Sequence, residues 1–328
     1  MKSTKAVGIL LLTGLLALSP RAFAGSDKND VNDIGDRKVA HRSIISQEKE
    51  IAIGKQYATE IEKQSKIVKD PVVAEYVNRI AQNIARNSDL TIPLTVRVID
   101  SPEINAFALP GGFLFVNTGV LLAADEESQV AGVIAHEIAH VAARHWASQM
   151  TKATILQYAT IPLIFVPMTY PVYMGISSAM NFGIPMAFLK FNRSAEAEAD
   201  YLGLQYMYKA GYDPNSYVSF FSKVIEQERR QPGSTAKIFM DHPPTPDRII
   251  KCEQEIKEIL PKRQEYLVTT SEFDDVKTRM KTLVALNKKT DQSGPTLRKR
   301  APDESTSGSE GKDSSQDDDK PPVLKRRD

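Results

Sequence analysis

The sequence predicts an α+β fold that is mostly helical and has one small β-sheet in the middle. Two patterns lead to this expectation. Over most of the chain, apolar residues recur every three or four positions, which is typical of amphipathic helices. Between residues 94 and 117 they alternate with polar residues instead, as in strands. The 328 residues, of which 41% are hydrophobic, suffice for one large domain or two small ones.

Residues 1–24 have the pattern of a signal peptide. Lys2 and Lys5 give a positive start, residues 6–18 are apolar, and Ala22-Phe23-Ala24 matches the small-x-small site of signal peptidase. The apolar part has about a dozen residues, fewer than the roughly 20 that are needed to span a bilayer. The alternative interpretation is an uncleaved N-terminal anchor. The pattern therefore predicts secretion across the inner membrane into the periplasm. No cysteine lies near the cleavage point, which argues against a lipid anchor.

Charge and cysteine content narrow the class of protein. The formal net charge is +1, so no excess positive charge favours nucleic acid, and we expect no nucleic-acid partner. Cys252 is the only cysteine, which excludes an internal disulfide bond. It shares the helical spacing of Ile249, Ile256 and Ile259, and is therefore predicted to be a small buried residue and not a nucleophile.

A folded domain is predicted over residues 46–288, after a polar, flexible lead-in at 25–45. Its first helix is expected near 47–66. A second helix should begin at Asp70-Pro71, where an aspartate N-cap precedes a proline at the first helical position. The apolar stripes of these two helices are Ile53, Tyr57 and Ile61 in the first, and Val73, Val77, Ile80 and Ile84 in the second.

The sheet follows in sequence. Leu94, Val96 and Val98 alternate with polar residues and predict a strand with one buried face. The segment 105–117 reads as strand, turn and strand, with Pro110-Gly111-Gly112 as the turn. Further helices are expected over 126–148, from Arg193, and at the cap-plus-proline pairs Asp213-Pro214 and Thr245-Pro246.

Two segments have unusual composition. Residues 153–189 contain no charged side chain over 37 positions, but several prolines and glycines interrupt them. We interpret them as an apolar lid or a membrane-touching surface, with a single membrane span and a buried core segment as alternatives. Residues 289–328 hold 18 charged side chains in alternating blocks, which predicts a disordered tail. Such a tail serves solubility, or docking to an anionic surface.

The strongest chemical signal is the sequence His136-Glu137-Ile138-Ala139-His140. Residues four apart on a helix share a face, so both imidazoles can point at one metal ion. Glu137 projects from the flank, close enough to reach a water on the ion without binding the ion itself. The surrounding residues are apolar, which suits a buried metal site.

A catalytic zinc site needs a third protein ligand. The metzincin extension is absent, because Ala143 and Trp146 occupy its glycine and histidine positions, and His145 is out of register. Glu196 on a later helix fits instead, and Asp200 shares its helical face, where a carboxylate can orient an imidazole. Glu198 lies on another face and is expected to be solvated.

Three segments together resemble the gluzincin metallopeptidase family, which includes the CaaX prenyl protease, HtpX, Oma and BepA. They are Asn105 to Gly112, the His-Glu-x-x-His helix, and Arg193-x-x-Glu196-x-x-Ala199-Asp200. Two more, Ala210 to Pro214 and His242-Pro243-Pro244 with Arg248, resemble its soluble periplasmic BepA-like branch, although residues 263–328 do not resemble the helical-repeat domain of BepA. The likeness covers roughly residues 45–260.

This resemblance implies a mostly helical gluzincin domain with one Zn²⁺ per chain, bound by His136, His140 and Glu196. It assigns Glu137 as the catalytic base and Asp200 as a proton donor, and it allows His242 to act as a fourth ligand. From the residues alone, His242 can equally stabilise an oxyanion or lie in a surface loop.

The expected activity is hydrolysis of peptide bonds in unfolded or extended secreted and envelope proteins, as part of protein quality control. The substrate would add to an edge strand that includes Asn105, Ala106 and Phe107. The alternative is a metal-stabilised, chaperone-like protein that binds unfolded chains and cuts few of them.

Overall fold

A computed structural model describes residues 30–160, 190–230, 242 and 245–292 of the chain. The predicted signal peptide, most of the uncharged segment (161–189) and the tail from residue 293 lie outside the described residues. The chain divides into two compact units, Met1–Leu286 and Asn287–Asp328. The described part of the second unit is the last turn and a half of one helix.

The predicted α+β fold is confirmed: helices dominate the described residues and one three-stranded sheet lies among them. The strands are β1 (Thr95–Ile99), β2 (Ala106–Leu109) and β3 (Phe113–Asn117). The helices are α1 (Gln47–Gln64), α2 (Pro71–Arg86), α3 (Thr118–Ala123), α4 (Glu127–Ala142), α5 (His145–Thr160), α6 (Arg193–Ala210), α7 (Asn215–Arg230), α8 (Pro246–Ile259) and α9 (Ser271–Gln292).

The sheet has the order β1-β3-β2, with β1 parallel and β2 antiparallel to β3. The predicted turn joins β2 to β3, and both its glycines have positive φ, 79° at Gly111 and 86° at Gly112. A side chain at Gly111 would also place its Cβ 2.4 Å from the Cα of Ile51, so only glycine fits there. This hairpin makes β2 an edge strand of the sheet.

The predicted helix starts agree with the structure. The carboxylate of Asp70 accepts a hydrogen bond from the Val73 amide at the start of α2, and the stripe of Val73, Val77, Ile80 and Ile84 is buried. Thr245 caps α8 in the same way, and α7 begins at Asn215, next to the predicted pair Asp213-Pro214. Cys252 is 3% exposed on α8, as predicted.

All 16 residues of α4 are buried, so this helix is the centre of the domain. It packs against α2, α6 and α7 and against the sheet. The single helix predicted over 126–148 is wrong, because α4 ends at Ala142 and α5 starts at His145. Arg144 between them has φ of 55°, and its guanidinium is held by the Glu50 carboxylate and the Ile45 carbonyl, both at 2.8 Å. These contacts from outside the helix stabilise the break.

Residues 30–45 pack onto the domain, in contrast to the flexible lead-in that the sequence predicts. Val31, Arg37 and Val39 are buried. The reason is a buried ion pair, since Arg37 donates to both oxygens of Asp89, at 3.2 Å to Oδ1 and 2.6 Å to Oδ2. The sequence analysis also did not predict α9, which buries Phe273, Val276 and Met280, three and four positions apart. Among the described residues, no helix is both long enough and apolar enough to cross a bilayer.

Candidate metal centre

Helices α4 and α6 bring the predicted ligands together. Nε2 of His136 lies 3.1 Å from Nε2 of His140, and the Glu196 carboxylate oxygens lie 3.5 and 3.6 Å from these two nitrogens. Four ligand atoms about 2.0–2.1 Å from a tetrahedral zinc ion are about 3.3 Å apart. The three side chains are at most 3% exposed. Their spacing therefore fits a metal ion with protein ligands from two helices.

Local sequence fixes the positions of the two helices. The side chain of Asn192 caps α6, which places Glu196 in its first turn. Two turns later, Gly203 allows the helices to approach closely, since a Cβ there would lie 3.2 Å from the backbone of His136. The absence of a side chain at this point brings the ligands of α6 up to those of α4.

The charges of the site also favour a cation. The site holds three buried carboxylates, Glu137, Glu196 and Asp200, and the guanidinium of Arg248 pairs with only the last two. Burial lowers the pKa of His136, but hydrogen bonds to Asp200 and Glu196 outweigh it and raise this pKa to about 9. The surroundings of His136 thus stabilise positive charge, as a site for a metal cation must. Burial holds the pKa of His140 well below its usual range, which leaves a neutral imidazole suited to ligation.

Glu137 lies beside the ligands and is anchored by the sheet. Its Oε2 accepts a hydrogen bond from the backbone amide of Ala108 in β2 at 3.0 Å. Its Oε1 is buried and has no hydrogen-bond partner among the described residues. Burial raises the pKa of this carboxyl group, with partial opposition from His242 and His136. One oxygen is therefore fixed while the other remains available to accept a proton.

Asp200 contacts the opposite edge of His136. One carboxylate oxygen lies 3.1 Å from Nδ1 of His136, and Arg248 donates to both oxygens at 2.7 Å. Burial opposes ionisation, but the bonds from Arg248 and His136 hold the pKa of Asp200 below its usual value. Nδ1 points away from the ligand cluster, so these contacts orient the imidazole. The role of proton donor remains a prediction.

His242 completes the cluster. It is 1% exposed, so the surface-loop alternative is wrong. Its Nδ1 lies 2.9 Å from a Glu196 oxygen, and its Nε2 lies 3.6 Å from Oε1 of Glu137. His136, His140, Glu196 and His242 each offer one ligand atom within 4.8 Å of the others. This position is compatible with both predicted roles, a fourth metal ligand and an oxyanion-stabilising group.

Comparison with known proteins identifies the family. The sequence pattern of peptidase family M48 matches residues 71–256, more than half of the chain, and includes every predicted ligand. The chain belongs to peptidase family M48. Membership of the predicted metallopeptidase family is therefore confirmed.

Named relatives of the M48 chain include bacterial and mitochondrial proteases. The Escherichia coli beta-barrel assembly-enhancing protease is 25% identical over 258 residues, 77% of this chain and 53% of the relative. Its Vibrio cholerae counterpart is 30% identical over 247 residues, 73% of this chain and 50% of the relative. The Schizosaccharomyces pombe mitochondrial metalloendopeptidase OMA1 is 34% identical over 192 residues, 58% of this chain and 55% of the relative. The chain spans about half the length of these relatives.

Several residues of the M48 site were missed by sequence reasoning. Tyr217 on α7 donates a hydrogen bond to Asp200 and lies 3.1 Å from Nδ1 of His136. Phe191 stacks on the ring of His140 with centroids 4.2 Å apart. Neither residue carries a sequence signal, because each reaches the site only through tertiary packing. Arg248 appeared in the resemblance without a role, and here it forms ion pairs with both Asp200 and Glu196.

The interpretation of Glu198 as a solvated residue is wrong. Its side chain is 21% exposed and lies 2.6 Å from His41 and 3.3 Å from His145. Nδ1 of His145 in turn lies 2.9 Å from Nδ1 of His140. All five histidines of the chain therefore belong to one connected network. The small number of histidines in the sequence was the signal that could have pointed to His41 and His145.

The predicted substrate strand lies next to Glu137. Ala106 and Phe107 belong to the edge strand β2, and Asn105 immediately precedes it. All three are buried, and the Asn105 side-chain oxygen has no hydrogen-bond partner among the described residues. Because the Ala108 amide is taken by Glu137, β2 and the candidate base are rigidly connected.

Proposed function

We propose that the protein is a zinc-dependent endopeptidase that hydrolyses peptide bonds in unfolded or extended proteins of the bacterial envelope. The buried cluster of His136, His140 and Glu196 is the observation that carries this proposal. Two imidazoles and one carboxylate form a ligand set used by catalytic zinc sites, and zinc is the metal that such a set suits. One ion per chain is expected.

Bound zinc would supply Lewis acidity, which polarises the scissile carbonyl and activates water. Glu137 would accept the proton of that water at Oε1, while the Ala108 amide holds Oε2 in place. Asp200, Tyr217 and Arg248 keep the ring of His136 in one orientation. Glu137 would thus be the catalytic base and Asp200 a proton donor, while Asp200, Tyr217 and Arg248 together position the ring of His136.

An extended substrate would pair with the edge strand β2 at Asn105, Ala106 and Phe107, as peptides add to exposed strands. Backbone pairing of this kind requires an extended substrate segment, which favours unfolded over folded proteins. A periplasmic location, a role in envelope quality control and a membrane contact through residues 153–189 belong to the same proposal. The composition of the N-terminal segment and the names of the bacterial relatives support it.

The decisive variant is Glu137→Gln, which removes the base and leaves every ligand. We expect it to retain one zinc and the wild-type melting temperature, while casein hydrolysis falls by at least about 10²-fold. Glu60→Gln, at an exposed position on α1, is the matched control and should keep full activity. Glu196→Ala, in contrast, should lose the metal, as elemental analysis of the dialysed protein would show.

Near wild-type hydrolysis by Glu137→Gln would refute the assigned mechanism. A zinc-loaded wild-type protein that binds unfolded casein without cleaving it would instead support the chaperone-like alternative. Proteomics on cells that carry Glu137→Gln would then identify substrates, because the variant should bind them without releasing products.

A further inference from the structure

A second group of metal-ligating side chains lies beside the proposed zinc site. His41, His145 and Glu198 each offer one ligand atom, and these atoms lie within 4.8 Å of one another. They come from the packed segment before α1, from the first residue of α5 and from the first turns of α6. We refer to these three residues as the outer cluster.

The outer cluster opens to solvent, unlike the proposed zinc site. It lines a small cavity of about 40 Å³ whose other charged or amide-bearing lining residues are Gln149, Asn192 and one cation, the exposed Lys152. This volume exceeds the roughly 10–15 Å³ that one water molecule needs. His41 is 37% exposed in its side chain and Glu198 is 21% exposed, so an ion has direct access and retains water ligands.

We propose that the outer cluster binds a divalent transition-metal ion such as Zn²⁺ or Ni²⁺. A set of two imidazoles and one carboxylate binds these ions in preference to Mg²⁺ or Ca²⁺. The shared Glu198 oxygen lies 2.6 Å from Nε2 of His41 and 3.3 Å from Nε2 of His145. The second distance matches the edge of a zinc tetrahedron, about 3.3 Å. The distance from Glu198 to His41 is shorter than this edge, and the exposed ring of His41 has room to move outward by the difference.

The two sites are connected by one hydrogen bond, between Nδ1 of His140 and Nδ1 of His145 at 2.9 Å. A proton must lie between these nitrogens, because two lone pairs would repel at that distance. Two neutral rings carry two protons in total, so the second proton occupies one of the two outward Nε2 atoms. Only one Nε2 therefore has a lone pair for a metal at any time.

This count makes the two sites antagonistic. When Nε2 of His140 binds the inner ion, Nε2 of His145 carries its proton toward Glu198. An ion at the outer cluster needs that same nitrogen unprotonated, which favours a proton on Nε2 of His140 and weakens the inner ligand. Occupation of the outer cluster should consequently accelerate loss of the inner metal. The coupling rests on metal binding at the proposed catalytic site, whereas the outer cluster stands independently of it.

The test uses the full chain without a histidine tag, in the Glu137→Gln background, loaded with one zinc and titrated with Ni²⁺. Elemental analysis distinguishes the two metals, and no readout depends on proteolysis. We expect one Ni²⁺ per chain, with affinity at least about tenfold weaker in His41→Ala, since even an indirect partner of a metal ligand contributes about that much. Arg42→Ala, which alters the exposed neighbouring residue, is the control and should bind Ni²⁺ normally.

Equal Ni²⁺ binding by His41→Ala and Arg42→Ala, or no Ni²⁺ binding at all, would overturn the outer site and leave these residues as hydrogen-bonded support for His140. The coupling has its own readout, the rate of zinc loss to a chelator. Ni²⁺ should accelerate that loss in the parent protein and not in His41→Ala. An unchanged rate despite stoichiometric Ni²⁺ would show that the sites are independent and refute the antagonism.

Discussion

At the scale of single residues, the two edges of His136 show how the site divides its tasks. Nε2 faces Glu196 and His140, whereas Nδ1 faces Asp200 and Tyr217. A ligating imidazole needs a partner at its second nitrogen to fix both its tautomer and its orientation. His140 obtains that partner from His145 instead of a carboxylate. The two ligands are therefore supported by chemically different groups.

The role of His242 can be decided by one substitution. Its ring lies between Glu137 and Glu196, on the side where a catalytic zinc site needs an open position. A fourth protein ligand there would displace water and keep the enzyme latent, so we expect His242→Ala to raise basal casein hydrolysis. Zinc content should stay at one per chain, because the three other ligands remain.

A fall in hydrolysis by His242→Ala, with zinc retained, would assign His242 to oxyanion stabilisation instead. A rate within about twofold of wild type, equivalent to only about 0.4 kcal/mol in the barrier, would dismiss both roles. Whether hydrolysis rises or falls in His242→Ala therefore distinguishes the two roles.

At the scale of helices and strands, the sequence predicted those helix starts and turns that depend on neighbouring residues. Asp70-Pro71, Thr245-Pro246 and the Pro-Gly-Gly turn each formed where expected, because capping and positive φ depend on neighbouring residues. The helix break at Arg144 has no such signal. It depends on Glu50, which is distant in sequence.

The same distinction applies to the candidate site. Helical spacing placed His136 with His140 and Glu196 with Asp200, since each pair lies within one helix. Spacing cannot reveal a contact between separate elements, so His41, Tyr217 and the pairing of Glu198 were missed or misread. Arg37 with Asp89 is a further case, with the partners 52 residues apart.

The contact between α4 and α6 allows a test at the scale of elements. A Cβ at Gly203 would lie 3.2 Å from both the Cα and the N of His136, and helix backbone cannot yield there without moving the helix. We expect Gly203→Ala to separate the two ligand-bearing helices and weaken zinc binding. The metal-free protein should lose about 1–3 kcal/mol, partly offset by the better helix propensity of alanine.

Competition with a chelating dye would measure the zinc affinity of Gly203→Ala, and urea denaturation its stability. Lys209→Ala, a partly exposed position on the same helix, is the control for a general effect on α6. Wild-type zinc affinity in Gly203→Ala would show that the close approach serves packing alone.

At the scale of the whole domain, the segment of residues 30–45 connects the core to the outer cluster. The guanidinium of Arg37 donates to Asp89 and to Gln205 on α6, and Asp89 also accepts from Tyr206 and from the Gly35 amide. Further along the segment, the His41 amide donates to the Ala143 carbonyl at the end of α4. A domain boundary drawn at residue 46 would remove the contacts made by Gly35, Arg37 and His41.

The stability of the domain should therefore depend on Arg37. Its side chain and that of Asp89 are fully buried, and Arg37→Ala would leave the Asp89 carboxylate without its guanidinium. Removal of one partner of a buried ion pair typically costs about 3–5 kcal/mol. We expect a loss of that size in the free energy of unfolding, measured by urea denaturation at one fixed zinc concentration, because bound metal adds to apparent stability. Arg42→Ala, five residues on and exposed, should change it by no more than about 0.5 kcal/mol. If the two variants unfolded at the same urea concentration, the buried ion pair of Arg37 would contribute nothing to the stability of the domain.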